Sequence, residues 1–162
     1  MARVIINRTF KITIYQCHSK HFGLTSRLIE FHQKTNYSHM AIGFTSETGR
    51  EMIIDSTRKN ISFYPADNYF SDKYDAMGTK EIELDCSRKE FLSVVEDWLG
   101  LDYPESQIIG LMLNIVINRN GSKKMTCNEL ALRIPLRLKK GFKFDGDLDA
   151  VDLNEAWKAL NE

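Results

Sequence analysis

The chain has 162 residues, 43% of them hydrophobic, and 22 basic side chains balance 22 acidic ones. That length and apolar share suit one core and one domain spanning 1–162. The charge balance excludes the broadly basic footprint of a nucleic-acid binder and an acidic tail.

In chain order, residues 4–6 and then Phe10, Ile12 and Ile14 suggest an initial strand pair or one interrupted strand. Residues 23–35 place Leu24, Leu28, Ile29 and Phe31 along one side, which predicts an amphipathic helix ending in the polar turn Lys34-Thr35-Asn36. His39 then opens a short apolar strand over 40–44. A turn, Ser46-Glu47-Thr48-Gly49, leads to a second strand over 51–55, and the two form a predicted hairpin. Residues 61–64 and 80–84 read as further strands. The segment between them, 65–79, carries Tyr69, Phe70 and Tyr74 and reads as a long polar and aromatic loop, of the kind that borders a cleft.

Ser87 and Glu90 form a capping-box pattern for a helix through Trp98, stopped by Gly100. A buried helix is expected from about 105 to 118, followed by a turn over 118–122. Its apolar run, 108–117, has ten residues and contains Asn114, well short of the ~18 to 20 that a membrane span requires. Thr126 and Glu129 make another capping box, opening a helix whose apolar positions are Leu130, Ala131, Ile134 and Leu138. The acidic run 145–149 makes a turn before a last helix, 152–160, which presents Leu153 and Trp157 to the body. No repeat or low-complexity segment interrupts this order.

Cys127 would be the first residue of its helix. A thiol there faces backbone N–H groups and the positive end of the helix dipole, with Lys123 and Lys124 just upstream, and all of these favour thiolate. Taken alone, a lone cysteine is as readily a small buried hydrophobe. What adds weight is a possible base and orienting group. In an antiparallel hairpin the end of the second strand lies beside the start of the first, so Asp55 comes near His39. A carboxylate in that position can hold an imidazole by its second ring nitrogen, although an Asp in Asp55-Ser56-Thr57 can equally cap a turn. Tyr37 and Tyr103 carry hydroxyls that could reach a cleft as substrate or oxyanion donors, or simply pack. Glu129 is expected to serve its own helix start.

These residues, in the runs FGLTSRLIEFHQKTNYSHMAIGF, EMIIDSTRKNISFYP, LDYPESQIIGLM and MTCNELA, resemble the circularly permuted papain-like cysteine hydrolases. That group is the permuted branch of the NlpC-type peptidases, with YiiX-like proteins and lecithin retinol acyltransferase as relatives, and in it the histidine precedes the cysteine. The resemblance covers roughly 22–138. Asp55 followed by Ser56 stands where glutamate and a small residue are usual, and Pro104 follows Tyr103 where aspartate is usual. The resemblance implies an α+β papain-like fold, with a small antiparallel sheet packed against helices and the nucleophile at a helix N-terminus. It implies a cysteine hydrolase cleaving an amide bond in a peptide, isopeptide or peptidoglycan peptide, through a Cys127-His39-Asp55 triad and an acyl-enzyme. The alternatives are an inactive binding module of the same fold, or a lipid acyltransferase or esterase.

No cofactor or metal is expected. Cys17, His18 and His21 lack a fourth ligand at zinc-like spacing, and the acidic run has Ala150 and Ala156 where a calcium loop needs glycine and glutamate. Arg133, Arg137, Lys139, Lys140 and Lys143 form a basic cluster, read as a solvated face or a contact for an anionic partner. The expected partner is a peptide or acyl substrate. Only three apolar residues separate Arg3 from Asn7, so no signal peptide is expected. Three cysteines without a pairing pattern fit a reducing compartment, the cytoplasm of a bacterium or of a host cell for a phage product.

Overall fold

A computed structural model describes residues 9–21, 23–57, 59–102 and 125–162. Its centre is one five-stranded sheet, β1 (Phe10–Ser19), β2 (His39–Thr45), β3 (Glu51–Ser56), β4 (Ile61–Pro65) and β5 (Tyr74–Leu84). The spatial order is β4-β3-β2-β1-β5, and every neighbouring pair is antiparallel. Five helices accompany it among the described residues: α1 (Leu24–Gln33), α2 (Ala66–Asp72), α3 (Arg88–Glu96), α4 (Cys127–Leu138) and α5 (Leu153–Asn161). The class is α+β, with a small antiparallel sheet packed against helices.

The central strand explains the layering. All of β2 except Thr45 is buried, so both of its faces are covered. Met40, Ile42 and Phe44 enter the main core with Leu130 and Ile134 of α4, Phe91 and Val95 of α3 and Leu160 of α5. Ala41 joins Cys17, Ile53 and Tyr69 in a smaller cluster under α2 on the other side. Alternation along a strand sends successive side chains to these two clusters. Gly43 lies where β1 and β2 cross closely, since a Cβ there would sit 2.6 Å from the Tyr15 ring.

The hairpin of β2 and β3 has the expected register, Ile42 opposite Ile54 and Thr45 opposite Glu51. Its turn closes with Ser46 N–H donating to the Arg50 carbonyl at 2.8 Å and with Gly49 at φ +80°, a left-handed position that suits glycine. The capping boxes of α3 and α4 form as the sequence predicts, and Asp152 with Glu155 adds a third at α5.

Two expectations are corrected. Residues 65–79 are not a loop. Pro65 is the N-cap of the short helix α2, whose Tyr69 is fully buried against the sheet, and β5 begins at Tyr74, pairing along all of β1. Burial of one aromatic against the sheet and a long ladder override the polar composition. Helix α1 does form, yet its apolar stripe faces outward. Leu24 is 75% exposed and Phe31 85% exposed, and Ile29 alone of the four predicted side chains packs on the core. The expectations for residues 4–6, for a helix over 105–118 and for the turn over 118–122 lie outside the described residues. No helix among the described residues is long and apolar enough to cross a membrane.

Candidate active site

His39 is the first residue of β2, and Asp55 is the penultimate residue of β3. Antiparallel pairing therefore brings the two together, and the imidazole Nε2 and carboxylate Oδ1 form a buried hydrogen-bonded ion pair. With Nε2 committed to Asp55, Nδ1 is the ring nitrogen left for exchanging a proton with another group. Asp55 is 0% exposed. The Tyr74 ring stacks on the His39 ring, centroids 5.1 Å apart and planes 16° from parallel, fixing the imidazole from its side.

Burial by itself lowers the imidazole's pKa and is the largest influence on it. The Asp55 carboxylate, Tyr74 and Cys127 act in the other direction through their charge, as does the hydrogen bond that the ring donates to Asp55. The balance lies well above the ordinary histidine value.

Cys127 is the first residue of α4. Its helix start is built from buried polar groups: Thr126 N–H donates to Glu129 Oε2 at 2.8 Å, and Glu129 N–H donates to Thr126 Oγ1 at 3.3 Å. Arg133 Nη2 donates to Glu129 Oε1 at 3.4 Å, so the Glu129 carboxylate belongs to the cap. The thiol is 4% exposed and donates to Asn128 Oδ1 at 3.3 Å, while Asn128 Nδ2 donates to the Val151 carbonyl at 3.2 Å. Asn128 thereby ties the first turn of α4 to the segment before α5.

One further contact joins the two halves of the site. Ser56, the residue after Asp55, is buried and its Oγ donates to the Met125 carbonyl at 2.6 Å. The end of β3 is thus tied to the chain two residues before Cys127. Ser56→Ala is expected to leave that carbonyl without its donor and to cost about 1–3 kcal/mol, read from the urea midpoint. An unchanged midpoint would mean the tether contributes nothing.

The other cysteines are poor competitors. Burial, with Asp55 and Cys127 adding to it against His39, pushes the Cys17 thiol up to about 12. Burial, Glu90 and Asp85 push Cys86 up to about 11. Cys17 nonetheless sits opposite His39 across the β1–β2 ladder. Tyr69 lies near Asp55 on the same side, its pKa raised by burial first and the Asp55 charge second. Neither its hydroxyl nor Asp55 Oδ2 has a hydrogen-bond partner at ordinary geometry among the described residues.

Of the predicted site residues, His39 and Asp55 are hydrogen-bonded, and the Ser56–Met125 contact ties them to the start of α4, which Cys127 opens. The buried Tyr37 hydroxyl donates to the Leu153 carbonyl at 3.3 Å, a contact that anchors α5. Tyr103, Lys123 and Lys124 lie outside the described residues. The acidic run closes a turn, with Asp149 N–H donating to Asp147 Oδ1 at 2.9 Å. The basic cluster is partly paired, Arg133 with Glu129 and Arg137 with Asp97. Tyr74, Ser56 and Asn128 are site residues that sequence reasoning missed. The "CNEL" string offered a signal for Asn128, whereas the other two depend on contacts between distant segments. Compared with known proteins, the chain matches no family model and no curated protein.

Proposed function

We propose that the protein is a thiol-dependent hydrolase of permuted papain-like fold that cleaves an amide bond through Cys127, His39 and Asp55. The observation that carries the reading is the buried His39–Asp55 pair, tied through Ser56 and the Met125 carbonyl to a cysteine at the first position of a capped helix. Order along the chain, histidine before cysteine, and the resemblance to the permuted NlpC-type group support it further.

His39 takes the Cys127 proton, and the thiolate attacks the substrate carbonyl carbon to form a tetrahedral intermediate. The developing oxyanion is stabilised by donors already in place, the Cys127 backbone N–H at the helix start being one. Imidazolium then returns its proton to the leaving amine as the C–N bond breaks, leaving a thioester. Water, deprotonated by His39, attacks that thioester, and the carboxylic acid departs as the thiol is restored. Asp55 keeps the imidazole oriented and stabilises its cationic form throughout. Three unpaired thiols support a reducing compartment as the place of this reaction.

Iodoacetamide labelling at mildly acidic pH tests the assignment. Cys127 is expected to react far faster than Cys17 and Cys86, whose thiols burial holds protonated. Equal, slow labelling of all three would instead mark a binding module without the reaction.

A further inference from the structure

A cavity of about 380 Å³ opens beside the site, and His39 and Tyr74 form part of its wall. Its remaining lining includes Lys59, Lys73, Ser38, Ser56, Thr57 and, from the first turn of α1, Thr25 and Ser26. No acidic side chain lines it among the described residues. The size is that of a small-molecule site.

Three independent features give the cavity one electrostatic character. Neither Lys59 nor Lys73 has a carboxylate partner among the described residues, and the Lys73 ammonium rests over the Tyr64 ring, 3.7 Å from its centroid. Helix α1 brings its amino end to the same wall with no side chain capping it and no acidic residue in its first turn. The positive end of the helix dipole therefore has no acidic side chain of its own first turn beside it. Ser38, only 7% exposed, lines the cavity with a hydroxyl that has no hydrogen-bond partner among the described residues. A buried hydroxyl without a partner is costly to keep unless a ligand completes it.

We infer that this cavity is a receptor for an oxyanion group, a carboxylate or phosphate, held by Lys59, Lys73, Ser38 and the start of α1. Calling that group part of the substrate rests on the acyl-transfer reading, whereas the binding itself does not. His39 is the member of the triad that lines the cavity, so the anionic group would sit beside the imidazole. The substrate class is then an acyl compound carrying a negative charge near the scissile bond.

The test is an amide-detected NMR titration at low ionic strength with inorganic phosphate and, separately, succinate, since salt screens such contacts. Saturable shifts are expected at Thr25, Ser26, Ser38 and Lys59 with at least one of the two anions, and the stronger one tells phosphate from carboxylate. They should persist in Cys127→Ala. The double substitution Lys59→Gln/Lys73→Gln should weaken binding about tenfold or more, and Lys59→Gln alone by an intermediate factor. Shifts that never saturate, that scatter over surface lysines, or that survive the double substitution undiminished would overturn the inference. Saturable binding combined with slow Cys127 alkylation would sink the hydrolase instead and leave the oxyanion site standing; fast alkylation without binding would do the reverse.

Discussion

Replacing Cys127 by alanine is expected to lower turnover about ten-thousand-fold or more, and His39→Gln to do the same, with the fold retained in both. In the proposed reaction one side chain forms the bond to substrate and the other moves every proton, so removing either stops the same sequence of steps. Glutamine is the informative replacement at 39 because its amide can still donate to Asp55. Alanine there would strand a fully buried carboxylate, at about 3–5 kcal/mol, and confuse loss of chemistry with loss of fold. The two changes should not add. The double variant Cys127→Ala/His39→Gln is expected to be no slower than either single variant, as residues acting as a unit behave. Steady-state rates, with circular dichroism to confirm folding, decide it; full activity in Cys127→Ala would remove the nucleophile from the account.

The second large effect is at Asp55. Asp55→Asn keeps the shape and loses the charge, and activity should fall about 10²- to 10⁴-fold while remaining measurable. The pH profile should change with it. In the wild type, the carboxylate, Tyr74 and Cys127 outweigh burial and hold the imidazole protonated well above its ordinary value, so the imidazolium is lost only as pH rises through that raised value. Without the carboxylate, burial has less opposing it and the imidazolium gives up its proton at lower pH. The alkaline limb of kcat/KM should therefore move toward acid in Asp55→Asn. An unmoved limb would make Asp55 a packing residue. Asp55→Ala, which leaves the buried imidazole without its partner, should in addition cost about 3–5 kcal/mol in urea unfolding.

Where local chemistry fixes geometry, the sequence was readable. Thr126 and Glu129 are three residues apart and cap one another, so the start of α4 at Cys127 needed nothing from the rest of the chain. The turn at Ser46 and Gly49 sets the hairpin, and the hairpin alone carries Asp55 to His39. What escaped depends on long-range packing. Residues 65–79 look polar, yet Tyr69 is buried because a sheet face lies beneath it, and β5 starts at Tyr74 because β1 is there to pair with. The stripe of α1 has helical spacing, but spacing does not say which way a helix faces, and Phe31 ends up exposed. The Tyr37 hydroxyl reaches the Leu153 carbonyl, 116 positions along the chain, a partner that no local pattern reveals. Ser56 reached Met125 in the same unforeseeable way.

The most direct measurement is the mass of Cys127 after brief exposure of the protein to a pool of amide and ester acyl donors, quenched in acid. An acyl adduct on residue 127 is expected, absent in His39→Gln and longer-lived in Asp55→Asn. Adducts confined to Cys17 or Cys86, or an adduct on Cys127 that forms equally well without the imidazole, would contradict the account.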